Sequence, residues 1–162
     1  MQTLVVVKLL VLLTVANGAP VVAKRLLGDR HAVPLDGNAR FIDGRPLLGA
    51  SKTIRGLLLA VAATAAVAPL LGLTVGTGLL VGVGAMAGDL LSSFIKRRLG
   101  FKPSSRATGL DQIPESLIPA LLCWKAMSLT TADVVAVVGA FFIGEIVLSR
   151  LLFWMHIRDR PY

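Results

Sequence analysis

One stretch of the sequence carries acidic, hydroxyl and basic side chains at helical spacing inside an otherwise apolar segment. These residues are Asp89, Ser92, Ser93, Lys96 and Arg97. Residues three, four and seven positions apart lie on one side of a helix, so the spacing predicts a single polar face. An acid within a membrane segment costs about 3 kcal/mol to insert and marks a candidate functional site. This face could bind a divalent cation through its carboxylate and phosphate through its cations.

A second acid, Asp111, precedes the next predicted helix. Carboxylates from two helix ends can share a divalent cation, and neighbouring Lys and Arg side chains can hold phosphates that bridge to it. We therefore predict that Asp89 and Asp111 are metal ligands. The alternative is that the basic run from Lys96 to Arg98 only anchors its helix at lipid headgroups.

The first long polar segment, residues 24–53, is a second candidate site. Two Asp-Gly pairs predict tight turns, because glycine adopts positive φ at no steric cost. A glycine-containing loop at a helix start can hold a phosphate through backbone N–H groups, although the spacing is not that of a P-loop. The alternative is a turn-rich connector. The candidate binding residues of this loop are Asp36, Asp43, Arg45 and Lys52.

The elements that would position these residues are membrane helices, each of about 20 mostly apolar residues. We predict an all-α integral membrane protein with five transmembrane helices, forming a single domain over residues 1–162. The predicted spans are residues 2–23, 54–73, 75–95, 113–129 and 132–153. Two long cytoplasmic loops, about residues 24–53 and 96–112, separate them. No positive charge precedes Lys8, so the first span is not predicted to be a cleaved signal peptide.

The basic residues predict the orientation. Fifteen of the 17 Lys and Arg residues lie in the two long loops and their flanks or at the C-terminal end. With five spans these segments share one side, which the positive-inside rule assigns to the cytoplasm. The N-terminus would then be outside and the active face cytoplasmic, in the cell membrane.

Composition excludes several other classes of protein. The 162 residues carry a net charge of +8, yet 55% are hydrophobic and only 16% are charged. Intrinsic disorder needs low hydrophobicity, and a soluble nucleic-acid binder would carry its charge on a polar surface, so no nucleic-acid partner is expected. The single cysteine, Cys123, excludes a disulfide framework. A glycine-rich third span favours close helix packing and could support a homodimer.

The motifs resemble those of the CDP-archaeol synthases, membrane cytidylyltransferases distantly similar to phosphatidate cytidylyltransferases. The resemblance is carried by GDLLSSFIKRRLGFKP at 88–103, LDQIPESL at 110–117, NGAP at 17–20, PLDG at 34–37, FIDGRPLLG at 41–49 and SKTIRG at 51–56. It implies that CTP and a lipid phosphate give a CDP-lipid and pyrophosphate, with Mg²⁺. The lipid would be an unsaturated archaetidic acid, a glycerol phosphate diether with geranylgeranyl chains.

The resemblance also implies site residues. The superfamily's shared elements correspond to Asp89, to Ser93 with Lys96 and Arg97, and to Asp111. Lys102 is a further candidate, but it is followed by Pro103 where the phosphatidate enzymes have an acid, which puts its role in doubt.

In the expected reaction a lipid phosphate oxygen attacks the α-phosphorus of CTP, and catalysis is positioning and charge stabilisation. Asp89 and Asp111 would hold Mg²⁺, while Lys96, Arg97 and also Lys52 would neutralise the leaving pyrophosphate. The candidate residues of the first loop and Ser93 would bind nucleotide. Asn17 lies in the first span, which Gly18 and Pro20 are predicted to interrupt. It would contact the lipid headgroup or, alternatively, make a hydrogen bond at a helix kink.

Three other functions remain open from the sequence. A phosphatidate cytidylyltransferase would use the same chemistry on a fatty-ester lipid. A small transporter would show polar residues in several spans or an inverted repeat, and none is visible. A non-catalytic membrane protein would not need the acids Asp89 and Asp111.

Overall fold

The computed structural model describes residues 1–102, 105 and 107–154. The chain forms five α-helices: α1 (Thr3–Leu27), α2 (Ile54–Val67), α3 (Val75–Arg98), α4 (Gln112–Leu122) and α5 (Thr131–Trp154). In the described ranges the only extended pairing is two isolated β-bridges, both within the first loop. The predicted helical class is therefore confirmed. Three of the basic residues behind the predicted orientation lie outside the described residues, namely Arg106, Arg158 and Arg160.

The helix α1 is continuous from Thr3 to Leu27, although the Asn17–Pro20 segment predicted an interruption. Pro20 lies inside the helix, where it removes one backbone donor without ending the helix. The Asn17 amide donates to the carbonyl oxygen of Leu13 at 3.2 Å, a hydrogen bond of the kind expected near a helix irregularity. The prediction of a broken first span is therefore wrong.

The second predicted span is built from α2 and a short 3₁₀ helix, Ala68–Leu71. The Thr53 hydroxyl caps α2 by accepting from the backbone N–H of Gly56 at 3.1 Å. Pro69 cannot donate to the α-helical ladder, which explains why the last turn tightens to 3₁₀ geometry there. Gly72, with φ of 68°, then ends the element.

Glycines on α3 let two neighbouring helices approach closely. A Cβ at Gly78 would lie 2.5 Å from the Thr64 carbonyl oxygen of α2, and one at Gly88 would lie 2.3 Å from the Pro114 carbonyl oxygen of α4. Gly82 and Gly84 make similarly close approaches to α2 and α4. Packing within the chain therefore uses these glycines, and a homodimer stays a prediction.

The fourth predicted span is not a membrane-length helix. The helix α4 has only 11 residues, and turns follow it up to residue 128. At about 1.5 Å per residue it is roughly half as long as the hydrocarbon core is thick. The prediction of a helix spanning residues 113–129 is therefore wrong. Pro114 and Pro119 each lack a backbone N–H, so neither can donate a helical hydrogen bond in this segment.

Among the described residues, three helical segments have the length and apolar character needed to cross a membrane. They are α1, the α2–3₁₀ unit and α3. Large apolar side chains point outward on them, including Leu58 and Val83, while Leu9, Leu12 and Val81 fill the core between helices. The chain is thus a helical membrane protein. The last turns of α1 and the basic last turn of α3 lie at the same end of the bundle, next to the two loops.

Candidate active site

A cavity of about 320 Å³ lies at this end of the bundle, and all five helices and both loops line it. One part of its wall is apolar and comes from Pro20, Val21, Leu35, Leu57, Met86 and Leu90. The rest is polar and charged: Asn17, Lys24, Ser51, Lys52, Thr53, Asp89, Ser105, Asp111, Gln112, Glu115 and Glu145. Of the predicted site residues, the cavity thus brings together Asn17, Lys52, Asp89 and Asp111.

The first loop delivers Lys52 to Asp89. The Lys52 ammonium lies 2.5 Å from Oδ1 and 2.6 Å from Oδ2 of Asp89, so both carboxylate oxygens face one cation. The loop returns to the start of α2 as a β-bridge between Pro34 and Thr53, with the Leu35 N–H donating to the Lys52 carbonyl oxygen at 2.7 Å. This short backbone pairing holds Lys52 next to α3. The two side chains are about one-fifth exposed, so the cavity reaches the pair.

The second loop brings Asp111 to Lys96. The ammonium of Lys96 lies 2.6 Å from Asp111 Oδ1 and donates to the Ser105 carbonyl oxygen at 3.1 Å. The other oxygen, Oδ2, accepts the backbone N–H of Ala107 at 2.9 Å. Asp111 therefore has a partner within the chain on each oxygen.

The predicted polar face of α3 is present but lies mostly behind the cavity wall. Ser93, Lys96 and Arg97 are buried and are not among the lining residues. Arg97 lies near enough to Asp111 for their charges to attract. Lys96 and Arg97 act on the cavity through the Asp111 carboxylate, which Lys96 contacts and Arg97 attracts.

Glu115 is a buried acid that the sequence analysis did not assign to the site. Its side chain lines the cavity, is only 5% exposed and lies beside the carboxyl group of Asp89. The first turn of α4 can come this close because Gly88 has no side chain. One signal was available, since Glu115 follows Asp111 by four residues on an apolar helix and so shares its face.

Asp36 binds backbone groups of its own loop. Its carboxylate accepts backbone N–H groups from Asn38, Leu48 and Gly49 at 2.8–3.2 Å. Partial burial on its own would raise the pKa of Asp36, but these backbone hydrogen bonds together lower it below its usual value. The predicted Asp-Gly turn is confirmed by the positive φ of Gly37, 56°.

The other predicted loop residues lie outside the cavity lining. Asp43 forms an ion pair with Arg98 at the end of α3, with Oδ1 2.5 Å from the guanidinium, and the Arg45 guanidinium donates to the Arg98 carbonyl oxygen. The Arg98 guanidinium also stacks over the rings of Phe41 and Phe94. These contacts fasten the first loop to α3. Lys102 is exposed and does not line the cavity.

The carboxylates of the site suit a hard cation in type but are few. Within the described ranges, no group of three or more His, Cys, Asp or Glu side chains is arranged to hold a metal ion. Carboxylate oxygens are nevertheless the ligands that Mg²⁺ prefers, and Mg²⁺ commonly completes its shell with water and substrate phosphates. The donor set therefore fits Mg²⁺ that arrives with a phosphate-bearing substrate.

The fold and the charged cavity are those of an intramembrane enzyme. The solved structure of an intramembrane enzyme for archaeal membrane lipids biosynthesis is similar to this chain. It has a TM-score of 0.76 and 32% sequence identity, and the match covers 88% of this chain and 90% of that one.

The chain belongs to the CDP-archaeol synthase family: the CarS-like CDP-archaeol synthase family matches residues 1–159. The CDP-archaeol synthase of Sulfurisphaera tokodaii is 34% identical over 155 residues, which are 91% of this chain and 89% of the relative. Those of Methanopyrus kandleri and Hyperthermus butylicus are 45% and 43% identical, over 75% and 60% of this chain and 70% and 59% of their own lengths. The resemblance seen in the motifs is confirmed.

Proposed function

We propose that the cavity is where this chain carries out the reaction of its family, the transfer of a cytidylyl group from CTP to an archaeal lipid phosphate. Family membership supports this CTP-dependent activity over a non-catalytic role and over phosphatidate as the substrate. The observation that supports the location is the pair of lysine–aspartate contacts, Lys52–Asp89 and Lys96–Asp111, at one cavity. Such an arrangement suits phosphates, because the lysines can bind phosphate oxygens and the aspartates can hold the accompanying cation. Both interactions are stronger in a partly desolvated site.

The two walls of the cavity suit the two substrates. The charged wall formed by Lys52, Asp89 and Asp111 would take the CTP phosphates. The apolar wall, which includes Val21 and Leu57, would contact the start of the lipid chains. Asn17 and Lys24, two turns apart on α1, both line the cavity and would contact the lipid headgroup.

In the proposed mechanism, an oxygen of the lipid phosphate attacks the α-phosphorus of CTP, and the bond to the pyrophosphate leaving group breaks. The attacking phosphate is already an anion, so no side chain has to remove a proton. The chain's residues position the two substrates in line, and Lys52 neutralises charge that moves onto the leaving pyrophosphate. Lys96 and Arg97 hold Asp111 in place from behind the cavity wall.

We propose that Asp89 and Asp111 are the residues toward which Mg²⁺ would be held. When bound with CTP, Mg²⁺ supplies positive charge that offsets the charge of the phosphates. The polar cavity would face the cytoplasm, because the loops that line it carry the excess of basic residues. The N-terminus would then lie outside and α5, at 24 residues, would cross the membrane as well.

The test is incubation of the purified full-length protein in detergent with labelled CTP, Mg²⁺ and a panel of lipid phosphates. The panel contains an unsaturated archaetidic acid, phosphatidic acid and glycerol phosphate. We expect pyrophosphate release and a labelled CDP-lipid with the diether lipid. Equal or faster turnover of phosphatidic acid would overturn the lipid assignment, and no turnover with any lipid would overturn the proposed activity.

A further inference from the structure

The Lys52 ammonium occupies the position of a bound cation at Asp89. It contacts both oxygens of the carboxylate, at 2.5 and 2.6 Å, in the way that a metal ion could. The side chain comes from the end of a loop, whereas Asp89 lies on the rigid helix α3. A lysine ammonium is a compact charge on a flexible four-carbon stem, so it can change partners without backbone movement.

A second carboxyl group lies beside Asp89. Glu115 lies close enough to Asp89 and Lys52 for its carboxyl group to interact with their charges. It is only 5% exposed and lines the cavity. The close approach of α4 to Gly88 fixes its backbone, because the Glu115 nitrogen would lie 2.6 Å from any Cβ at Gly88. Asp89 and Glu115 therefore form a preorganised pair with one exchangeable cation.

Asp111 differs from this pair in what holds it. Its oxygens have Lys96 and the backbone N–H of Ala107 as partners, and Lys96 is itself buried and also bound to the Ser105 carbonyl oxygen. Exchanging Lys96 for another cation would break its contacts with Asp111 and with the Ser105 carbonyl oxygen, and would disturb the second loop. The Lys52–Asp89 contact is therefore the one that an incoming ligand can open at the lower cost.

We propose that Lys52 keeps the Asp89–Glu115 pair closed to metal ions until CTP arrives, and then moves from the carboxylates to the CTP phosphates as the metal ion takes its place. This inference rests on the proposed function, since it needs a nucleotide in the cavity. It assigns Glu115 to the metal-facing pair together with Asp89. It also explains why the chain offers few carboxylates, since the remaining ligands come with the nucleotide.

The consequence is thermodynamic coupling between the two ligands. Without CTP, a metal ion must displace the ammonium, which would then remain unpaired near the cavity. With CTP, the ammonium gains phosphate partners, so the displacement costs less. Linkage requires the effect to be reciprocal: CTP strengthens metal binding by the same factor by which metal strengthens CTP binding.

The experiment measures Mn²⁺ binding to the full chain in detergent by the loss of the free-ion EPR signal, with and without CTP and without any lipid phosphate. For the wild type we expect CTP to tighten Mn²⁺ binding by about tenfold or more, within the usual range of coupling. For Lys52→Gln we expect tighter Mn²⁺ binding without CTP, weaker CTP binding, and a coupling factor clearly smaller than in the wild type, because only the direct metal–phosphate contacts then link the two ligands. Glu115→Gln should weaken Mn²⁺ binding in both conditions.

The matched control is Lys125→Gln, which removes an exposed lysine from the turn after α4, away from the cavity. It should bind Mn²⁺ and CTP like the wild type. Unchanged or weaker Mn²⁺ binding by Lys52→Gln without CTP would overturn the exchange, and so would a wild type in which CTP leaves Mn²⁺ binding unchanged. Mn²⁺ bound to CTP in protein-free samples is subtracted, and Lys52→Met, with the same expected result, replaces Lys52→Gln if that variant does not fold.

Failure of this inference is distinguishable from failure of the proposed function. The binding measurements involve no lipid and no turnover. Coupled binding without any lipid product would leave the exchange intact and overturn the lipid transfer. Lipid transfer with independent Mn²⁺ and CTP binding would do the reverse.

Discussion

Two aspartates lie at opposite ends of this helical bundle, and they are held in different ways. Asp133, at the start of α5, is fully buried and accepts the N–H and the hydroxyl of Thr130 and the N–H of Gln2, at 2.7–2.9 Å. Asp89, on α3 toward the opposite end of the bundle, is held by the side chain of Lys52 and borders a cavity. Both are acids within predicted membrane segments.

The two aspartates differ in burial, since Asp133 is 0% and the Asp89 side chain 21% exposed, and above all in their donors. Backbone N–H groups and a neighbouring hydroxyl are fixed by the helix start, so Asp133 caps α5 and ties it to α1. An ammonium on a flexible side chain can leave, and a cavity gives another ligand room to replace it. An acid in a membrane helix therefore marks a candidate site only when its partners are exchangeable.

The largest effect is expected from replacing the two aspartates separately. Asp89→Asn should lower the rate of CDP-lipid formation by about 10²- to 10³-fold, the range for losing one charge-stabilising group in an active site. Asp133→Asn keeps an oxygen acceptor for the cap and should chiefly lower thermal stability, by about 1 kcal/mol. Rates of labelled CDP-lipid formation and unfolding curves in detergent measure both. Equal loss of activity by the two variants, both still folded, would contradict the different roles of Asp89 and Asp133.

A smaller effect on turnover is expected at the other lysine–aspartate pair. Lys96→Ala removes the partner of Asp111 and of the Ser105 carbonyl oxygen. A hydrogen bond to a charged group contributes about 1.5–3 kcal/mol, so KM for CTP should rise about ten- to a hundredfold. Steady-state kinetics at limiting CTP measure it, with Lys125→Ala as the control. An unchanged rate at limiting CTP would remove the Lys96–Asp111 pair from the phosphate site.

Much of the site could be predicted from the sequence because helical spacing is a local property. Asp89, Ser93 and Lys96 had to share a face once α3 formed, and Asp111 followed at the next helix start. Which lysine pairs with which aspartate could not be predicted. The Lys52–Asp89 contact joins residues 37 positions apart and depends on how the first loop folds back.

Two parts of the fold also lay beyond sequence patterns. The sequence patterns did not predict that α1 would continue through Pro20 or that α4 would end at Leu122. The role of Asp36 was hidden for a different reason. Its type suits a binding residue, but the backbone N–H groups of Leu48 and Gly49, twelve and thirteen residues further on, occupy its carboxylate.

A third prediction concerns the close approach that places Glu115 beside Asp89. Gly88→Ala would put a methyl group 2.3 Å from the Pro114 carbonyl oxygen, where backbone must move. Overpacking of this kind costs about 1–3 kcal/mol of stability, and the displaced α4 should lower CDP-lipid formation as well. Gly139→Ala is the control, since a Cβ there meets nothing within 4 Å. Thermal unfolding and turnover that match between the two variants would show that this contact does not position the site.

The smallest effect is expected at Asp36, which resembles Asp133 because backbone N–H groups hold it. Its pKa lies below the usual 3.8, so its stabilisation of the loop is complete above that value and is lost as the pH falls through the folded-state pKa. Asp36→Asn should therefore speed cleavage by trypsin at Arg40 at neutral pH. Pepsin at a pH below the folded-state pKa should cleave the first loop of both chains at the same rate, because protonation has removed the difference. Equal trypsin cleavage at neutral pH would mean that this carboxylate does not hold the loop, and Asp36 would then be a candidate for ligand contact like Asp89 rather than a fixed cap like Asp133.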